Sequence, residues 1–213
     1  MNRFAMVTER QYIIMGAGGH AAVIADILYC CGLPLKGYLD DAVPAGTEVL
    51  GAKVLGKLSD CSGHKDCLFI IGIGDNGTRR KVAEAYSLDY GKAIHPSAVI
   101  GREVEIGCGT AVMAGCVINP RTAIGKHCII NTKAGIDHDN KIGDYVHISP
   151  GASLGGTVIV GASVHVGIGA SVRNNVRICE GAVIGAGAAV VRDIMHEGVY
   201  IGVPAAQKSN QPK

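Results

Sequence analysis

Residues 118–154 read INPRTAIGKHCIINTKAGIDHDNKIGDYVHISPGASL, and an aliphatic residue returns at every sixth position: Ile118, Ile124, Ile130, Ile136, Ile142, Ile148 and Leu154. Followed outward, the same step runs back to Ile94 and forward to Val190, 17 hits without an insertion. Four places after each one sits a small or β-branched residue, among them Ala98, Thr110, Cys116, Cys128 and Ala182; Asn140 departs in polarity and Ile194 in size. A period of six fits neither the 3.6 of a helix nor the 2 of a plain strand. It fits a left-handed parallel β-helix of hexapeptide repeats, in which three hexads make one triangular coil of 18 residues. The aliphatic side chain points into the prism and the small one fills the space near the corner. Gly follows the aliphatic residue at 101, 107, 125, 143, 155, 161, 167 and 185, and Asn or Asp at 119, 131 and 137. These types tolerate φ > 0 at least cost, so this position is expected to carry the left-handed corner.

Composition agrees. The chain of 213 residues has 31 Gly, 4% aromatics and no Trp, which suits a narrow aliphatic interior. A formal charge of +2 argues against a nucleic-acid surface. No stretch approaches the roughly 18 apolar residues of a membrane span, and the opening MNRFAMVTERQ has no apolar signal region. The eight cysteines form no C-x-x-C pair, so reduced thiols in a cytoplasmic protein are expected.

Residues 1–93 read as a small α/β domain, 94–195 as the β-helix and 196–213 as a C-terminal cap and polar tail. In the first, Tyr12–Met15, Leu35–Leu39 and Leu68–Ile73 are buried strands, with a short one near 54–58. Helices are expected at 21–31 and 78–86. Strands alternating with helices imply a Rossmann-like parallel sheet of βαβ units. Gly16-x-Gly18-x-x-Ala21 follows a strand and opens a helix, where backbone N–H groups can approach a pyrophosphate. Asp40, at the end of the second strand, is placed to accept from a ribose or a base. Gly74-Asp75-Asn76 and Arg79 close the third strand, either as part of a ligand site or as an ordinary helix cap with solvated arginines. A complete dinucleotide domain needs more strands than this segment holds, so a sugar-linked nucleotide fits better than NAD.

Within the repeats, Asp137-His138-Asp139-Asn140 breaks the monotony. His138 falls two places after an inward residue and points outward, with Asp139 beside it to orient the ring and stabilise its protonated form. His147 and His165, one coil apart, stack on the same edge. A His-rich edge admits a general base acting at a thioester or a three-histidine zinc site. Gaps of nine and eighteen lack the close pair of the zinc arrangement, so no metal is expected.

The segments YIIMGAGGHA, YLDD, IGDNGTRRK, IHPSAVIG, INTKAGIDHD, KIGDYVHISPGA, HVGIGASV and YIGVPA, spread over residues 12–205, resemble the bacterial nucleotide-sugar acetyltransferases of the PglD/NeuD type. The resemblance implies a homotrimer that takes acetyl-CoA and a nucleotide-linked amino sugar, UDP- before GDP-linked and typically 4-amino-4,6-dideoxy. Gly18, Gly19 and His20 would contact its phosphates and Asp40 and Asp41 its nucleoside, with Gly74, Asn76 and Arg79 completing that site. His138 matches the family's catalytic base and Asp139 its acid, where many members have Glu. His147 and the backbone at Ile168 and Ala186 match acetyl-CoA contacts. The tail VPAAQK departs from the usual VPAK. The implied reaction is direct transfer, His138 taking a proton from the sugar amine as nitrogen attacks the thioester. Rival expectations are O-acetylation of a sialic acid, a β-helical zinc carbonic anhydrase, and a non-catalytic assembly module.

Overall fold

The computed structural model describes residues 10–208, and the expectations for the extreme N-terminus and the polar tail lie largely outside them. The α/β domain comprises β1 (Tyr12–Met15), α1 (Gly19–Cys30), β2 (Leu35–Leu39), β3 (Glu48–Val49), β4 (Ala52–Gly56), a 3-10 helix (Leu58–His64), β5 (Leu68–Ile71) and α2 (Asn76–Ala85). Its sheet runs β3-β4-β2-β1-β5. β1 pairs in parallel with β2 and β5, β2 pairs in parallel with β4, and only β3 is antiparallel. The expected βαβ pattern thus holds for β1-α1-β2. Between β2 and β4 a loop and the β3–β4 hairpin replace a helix, because Leu50 and Gly51 turn the chain with φ of 41° and 78°.

From Ala93 onward the chain coils through two-residue strands that pair in parallel with the strand 18 residues later, as in Ile118 with Ile136 and Ile130 with Ile148. Three sheets result. The first face carries Ala93–Ile94, Ile129–Ile130, His147–Ile148 and His165–Val166, and Val199–Ile201 extends it in parallel before Ala206–Gln207 closes it. The second face carries Val99–Ile100 to Ala189–Val190, and the third Glu105–Ile106 to Arg177–Ile178. The sixfold aliphatic residues and the small slots fill one buried core, which joins that of the α/β domain through α1 and Ile94. Each such Ile, Val or Leu contributes about 1.5–3 kcal/mol by leaving water.

The corner glycines need correcting. The left-handed residues lie two places later than expected, at Glu103, Arg121, His127, Lys133, Asp139, Tyr145, Thr157, Ser163 and Asn175, with φ between 53° and 60° or so (Arg121 at 61°), and at Gly109, Gly115 and Gly151 in the same register. The glycines after the aliphatic residues are required instead by proximity. A Cβ on Gly107 would come within 2.5 Å of the Gly125 backbone, and one on Gly143 within 2.7 Å of Ala162 N. Successive coils touch there, and no side chain fits.

Candidate active site

His138 lies at the corner where the second and third faces meet, between strands Gly135–Ile136 and Lys141–Ile142. The loop backbone is pinned from inside. Asn140 is fully buried in a slot made for a small side chain. Its Nδ2 donates to the carbonyls of Asp137 (2.6 Å) and Gly155 (3.0 Å), and its Oδ1 accepts from Val158 N at 3.1 Å. Thr122 Oγ1 also donates to the Asp137 carbonyl, at 2.8 Å. The Asp137 carboxylate accepts from His138 N and Asn119 Nδ2, both at 2.8 Å. The departure of Asn140 from the repeat is therefore what holds the loop.

On this base, His138 Nδ1 meets Asp139 Oδ2 at 2.6 Å. Arg121, one coil earlier, donates from Nε to Asp139 Oδ1 at 2.6 Å and from Nη2 to Oδ2 at 2.8 Å. Arg121 first, then His138, hold the Asp139 carboxyl well below the usual carboxylate range. An anionic acceptor on Nδ1 selects, for the neutral ring, the tautomer with the proton on that nitrogen and the lone pair on Nε2. The ring lies over Gly156 on the next coil, where a Cβ would come 2.7 Å from Cε1 and Nε2. Beside it opens a hollow of about 510 Å³ lined by Asp137, His138, Gly155, Gly156, Arg173 and Asn174 among others, all from the β-helix.

The glycine-rich turn belongs to the α/β domain, which docks through Asn76 and Arg79 at the corner of the third and first faces, a different corner from that of His138. Gly16 has a φ of 105°, which disfavours any side chain, and a Cβ there would crowd Ile73 at 3.1 Å and the Gly72 carbonyl at 3.2 Å. Gly18, Gly19 and Gly74 have open space at the Cβ position, and none needs a left-handed φ. No side chain caps the start of α1, so its first N–H donors have no side-chain acceptor. Asp40 accepts from Ala17 N at 2.7 Å, Ala42 N at 2.8 Å and Val43 N at 2.9 Å. Partial burial pushes its carboxyl up, but these three donors outweigh that and hold it below its ordinary value. Asp41 accepts from Leu58 N at 3.0 Å. Asp40 thus ties the turn to the loop after β2, and Asp41 caps the 3-10 helix.

Arg79 does not fit the role of a phosphate ligand. It is 1% exposed, and all five of its N–H groups are spent. Nε donates to His127 O at 2.8 Å, Nη1 to Ile73 O at 3.1 Å and Gly74 O at 3.0 Å, and Nη2 to Asn76 Oδ1 at 2.6 Å and Tyr145 O at 2.9 Å. Burial lowers it to about 10, so it stays charged at neutral pH. Asn76 is likewise committed, its Nδ2 donating to Ser163 O at 3.0 Å and Val164 O at 3.1 Å. Together they bolt the loop after β5 to the β-helix, while Asp75 caps α2 through Thr78.

Next to that bolt, His147 and His165 stack at 4.7 Å between centroids. His147 Nε2 faces Asn131 Nδ2 at 3.0 Å and His165 Nε2 faces Ser149 Oγ at 2.9 Å. Burial, then the neighbouring His165, Arg79 and His20, lower His147 to about 3, and burial with Arg79 lowers His20 to about 4. His20 Nε2 is buried without a hydrogen-bond partner. Ile168 and Ala186 stand one coil apart, exposed, where the first and second faces meet. Among the described residues no group of three or more His, Cys, Asp or Glu is placed to hold a metal ion. Burial pushes the Cys128 thiol up to about 12 and the Cys116 thiol up to about 11, which keeps both from acting as thiolates.

The sequence-predicted residues therefore fall into three groups, of which Ile168 and Ala186, at the corner of the first and second faces, form one. His20, Gly74, Asn76 and His147 gather where the α/β domain meets the first face, whereas His138 and Asp139 occupy another corner. Sequence reasoning missed Arg121 and Gly156, although each lies 18 residues, one coil, from a residue it singled out.

Residues 11–86 match the model of the PglD N-terminal domain. The acetyltransferase domain of PglB from Neisseria gonorrhoeae superposes with a TM-score of 0.89 at 31% identity, over 94% of this chain and 100% of that one. PerB from Caulobacter crescentus, solved with CoA and GDP-perosamine, superposes with a TM-score of 0.87 at 37% identity, over 95% and 99%. The UDP-N-acetylbacillosamine N-acetyltransferase of Bacillus subtilis is 40% identical over 110 residues, 47% of this chain and 50% of that protein. The chain spans half or less of the length of the curated relatives it matches. Fold, motif order and identity over nearly whole solved chains agree: the chain belongs to the PglD-type nucleotide-sugar N-acetyltransferases of the hexapeptide-repeat family.

Proposed function

We propose that the protein transfers the acetyl group of acetyl-CoA to the amine of a nucleotide-linked amino sugar, with His138 as general base. The observation that carries this reading is the 2.6 Å His138–Asp139 pair, which leaves Nε2 bare at the edge of the hollow. The amine nitrogen attacks the thioester carbonyl, Nε2 takes the proton that nitrogen loses, and the CoA thiolate leaves as the tetrahedral intermediate collapses. Asp139 steadies the imidazolium, and a backbone N–H of a neighbouring coil receives the oxyanion.

Gly18, Gly19 and Gly74 support a nucleotide cradle. A side chain at any of the three would meet nothing in the chain, so their absence leaves the backbone bare to a phosphate at a helix N-terminus. Partial commitment of Asp40 and Asp41 to the backbone makes them supports of that cradle as much as contacts. The cradle is on the α/β domain docked at one corner of the β-helix and His138 is at another, an arrangement that favours a site shared between copies of the chain. A homotrimer with sites between protomers fits this arrangement, and it places His147, Ile168 and Ala186 of one copy along the acetyl-CoA path of the next. A cytoplasmic setting supplies acetyl-CoA. No helix among the described residues is long and apolar enough to cross a membrane.

Thermal shift with acetyl-CoA, UDP and GDP, each added alone, tests the reading. A ligand at 100 times its Kd stabilises the folded state by about 2.7 kcal/mol. Stabilisation by acetyl-CoA and by one nucleotide is expected, UDP before GDP. Stabilisation by acetyl-CoA alone would redirect the assignment to a free sugar acid, and a response to neither would overturn it.

A further inference from the structure

Arg121 and Asp139 form an ion pair at the rim of the candidate active site, with side chains 56% and 34% exposed. A pair this open to water adds little to stability, since solvent screens it and ordering two side chains costs entropy. Its geometry is nonetheless closely constrained. The guanidinium fork engages both carboxylate oxygens, at 2.6 and 2.8 Å, and Oδ2 is shared with His138 Nδ1 at 2.6 Å. Both Arg121 and Asp139 sit in the left-handed corner position, with φ of 61° and 60°, so coil stacking sets one directly beside the other. Glu103 holds the same position one coil earlier and attracts the same guanidinium, but the hydrogen bonds go to Asp139.

We propose that Arg121 is a positioning residue for acetyl transfer: by clamping the Asp139 carboxylate, it fixes the His138 ring as the Nδ1–H tautomer with Nε2 presented for the sugar amine. Rotation about the last torsion of an Asp side chain is soft. Left to itself, a carboxylate one methylene shorter than Glu at a solvent-facing corner has no second contact to keep its oxygen on Nδ1. A bidentate guanidinium removes that freedom because both N–H bonds must be satisfied in one plane. A Lys ammonium at the same place supplies charge without the plane. The inference rests on His138 being the base, and it adds the group that holds the base's partner.

The test is a kinetic cycle of Arg121→Met, Asp139→Asn and the double variant, with Arg121→Lys as a second probe and ring ¹⁵N spectra of His138 as a readout independent of turnover. Arg121→Met is expected to lower kcat about tenfold or more, a fraction of the 10²–10⁴ typical of a positioned base, with KM for both substrates within about twofold. The spectra are expected to change from a single Nδ1–H tautomer to a mixture. Arg121→Lys should fall between the wild type and Arg121→Met, and the Arg121 effect should vanish in the Asp139→Asn background. A kcat within about twofold of wild type for Arg121→Met, or the same loss with and without Asp139, would overturn the proposal. Failure of the underlying reading looks different, because His138→Ala would then keep its turnover. An inactive His138→Ala beside an unaffected Arg121→Met rejects the Arg121 role alone.

Discussion

Arg79→Met removes a buried cation that five protein acceptors surround, four backbone carbonyls and the Asn76 amide oxygen. Methionine fills part of the volume but donates nothing, so those acceptors lose their partner in a site that water does not reach. Breaking a buried charged network from one side costs about 3–5 kcal/mol, and leaving a single buried acceptor unpaired costs about 1–3 kcal/mol. The larger figure per network is the appropriate one, because some acceptors relax toward one another. For a chain of this size each kcal/mol lowers Tm by about 2–4 °C, so the variant should melt about 10 °C earlier. Arg79→Lys retains the charge but at most three donors, and should lose roughly half as much. Circular dichroism melting gives the comparison, with nucleotide thermal shift measured on whatever folds. A drop of less than about 2 °C together with loss of nucleotide stabilisation would show that Arg79 serves the ligand and not the joint between domains.

Two further outcomes follow from the same geometry. Burial, then Arg79, depress buried His127 to about 4, so the folded chain binds fewer protons than the unfolded one once pH falls below about 6.5. Its stabilising effect is complete above that pH and is lost at about 1.4 kcal/mol per pH unit between 6.5 and 4, with His20 and His147 acting in the same direction; urea midpoints at pH 7.5, 6 and 5 should fall progressively, and a flat profile would contradict the buried neutral histidines. Gly156→Ala puts a methyl where the His138 ring lies, and the ring, 51% exposed, has solvent on its outer side to be pushed into; kcat should fall at least tenfold or so while the melting temperature stays within a few degrees, and an unchanged kcat would mean that the ring's place over Gly156 is immaterial.

Much of this was legible before any coordinates. The sixfold aliphatic step specified the inward residues because a β-helix repeats one environment without variation, and a single insertion would have broken it. The stacking of His147 on His165 followed from the 18-residue coil alone. The glycines after the aliphatic residues are different. Residue type was read as backbone freedom, whereas Gly107 and Gly143 are small because the next coil touches them, and residues such as Arg121 and Tyr145 accept the left-handed conformation. Arg79 is a similar case. An arginine after a strand's carboxyl end looks like a ligand contact in a linear reading, and only the docking of α2 on the corner at His127 and Tyr145 shows that its donors are taken. Arg121 required reading across coils as well as along the chain, since its partner lies 18 positions away.

Acetyl transfer as proposed turns on His138 removing the amine proton. The most direct measurement is the turnover of His138→Ala, with acetyl-CoA and nucleotide thermal shifts recorded on the same preparation. The account predicts a kcat lower by about 10²–10⁴ with both ligand shifts retained. A variant that binds both ligands and still turns over within tenfold or so of wild type would contradict it.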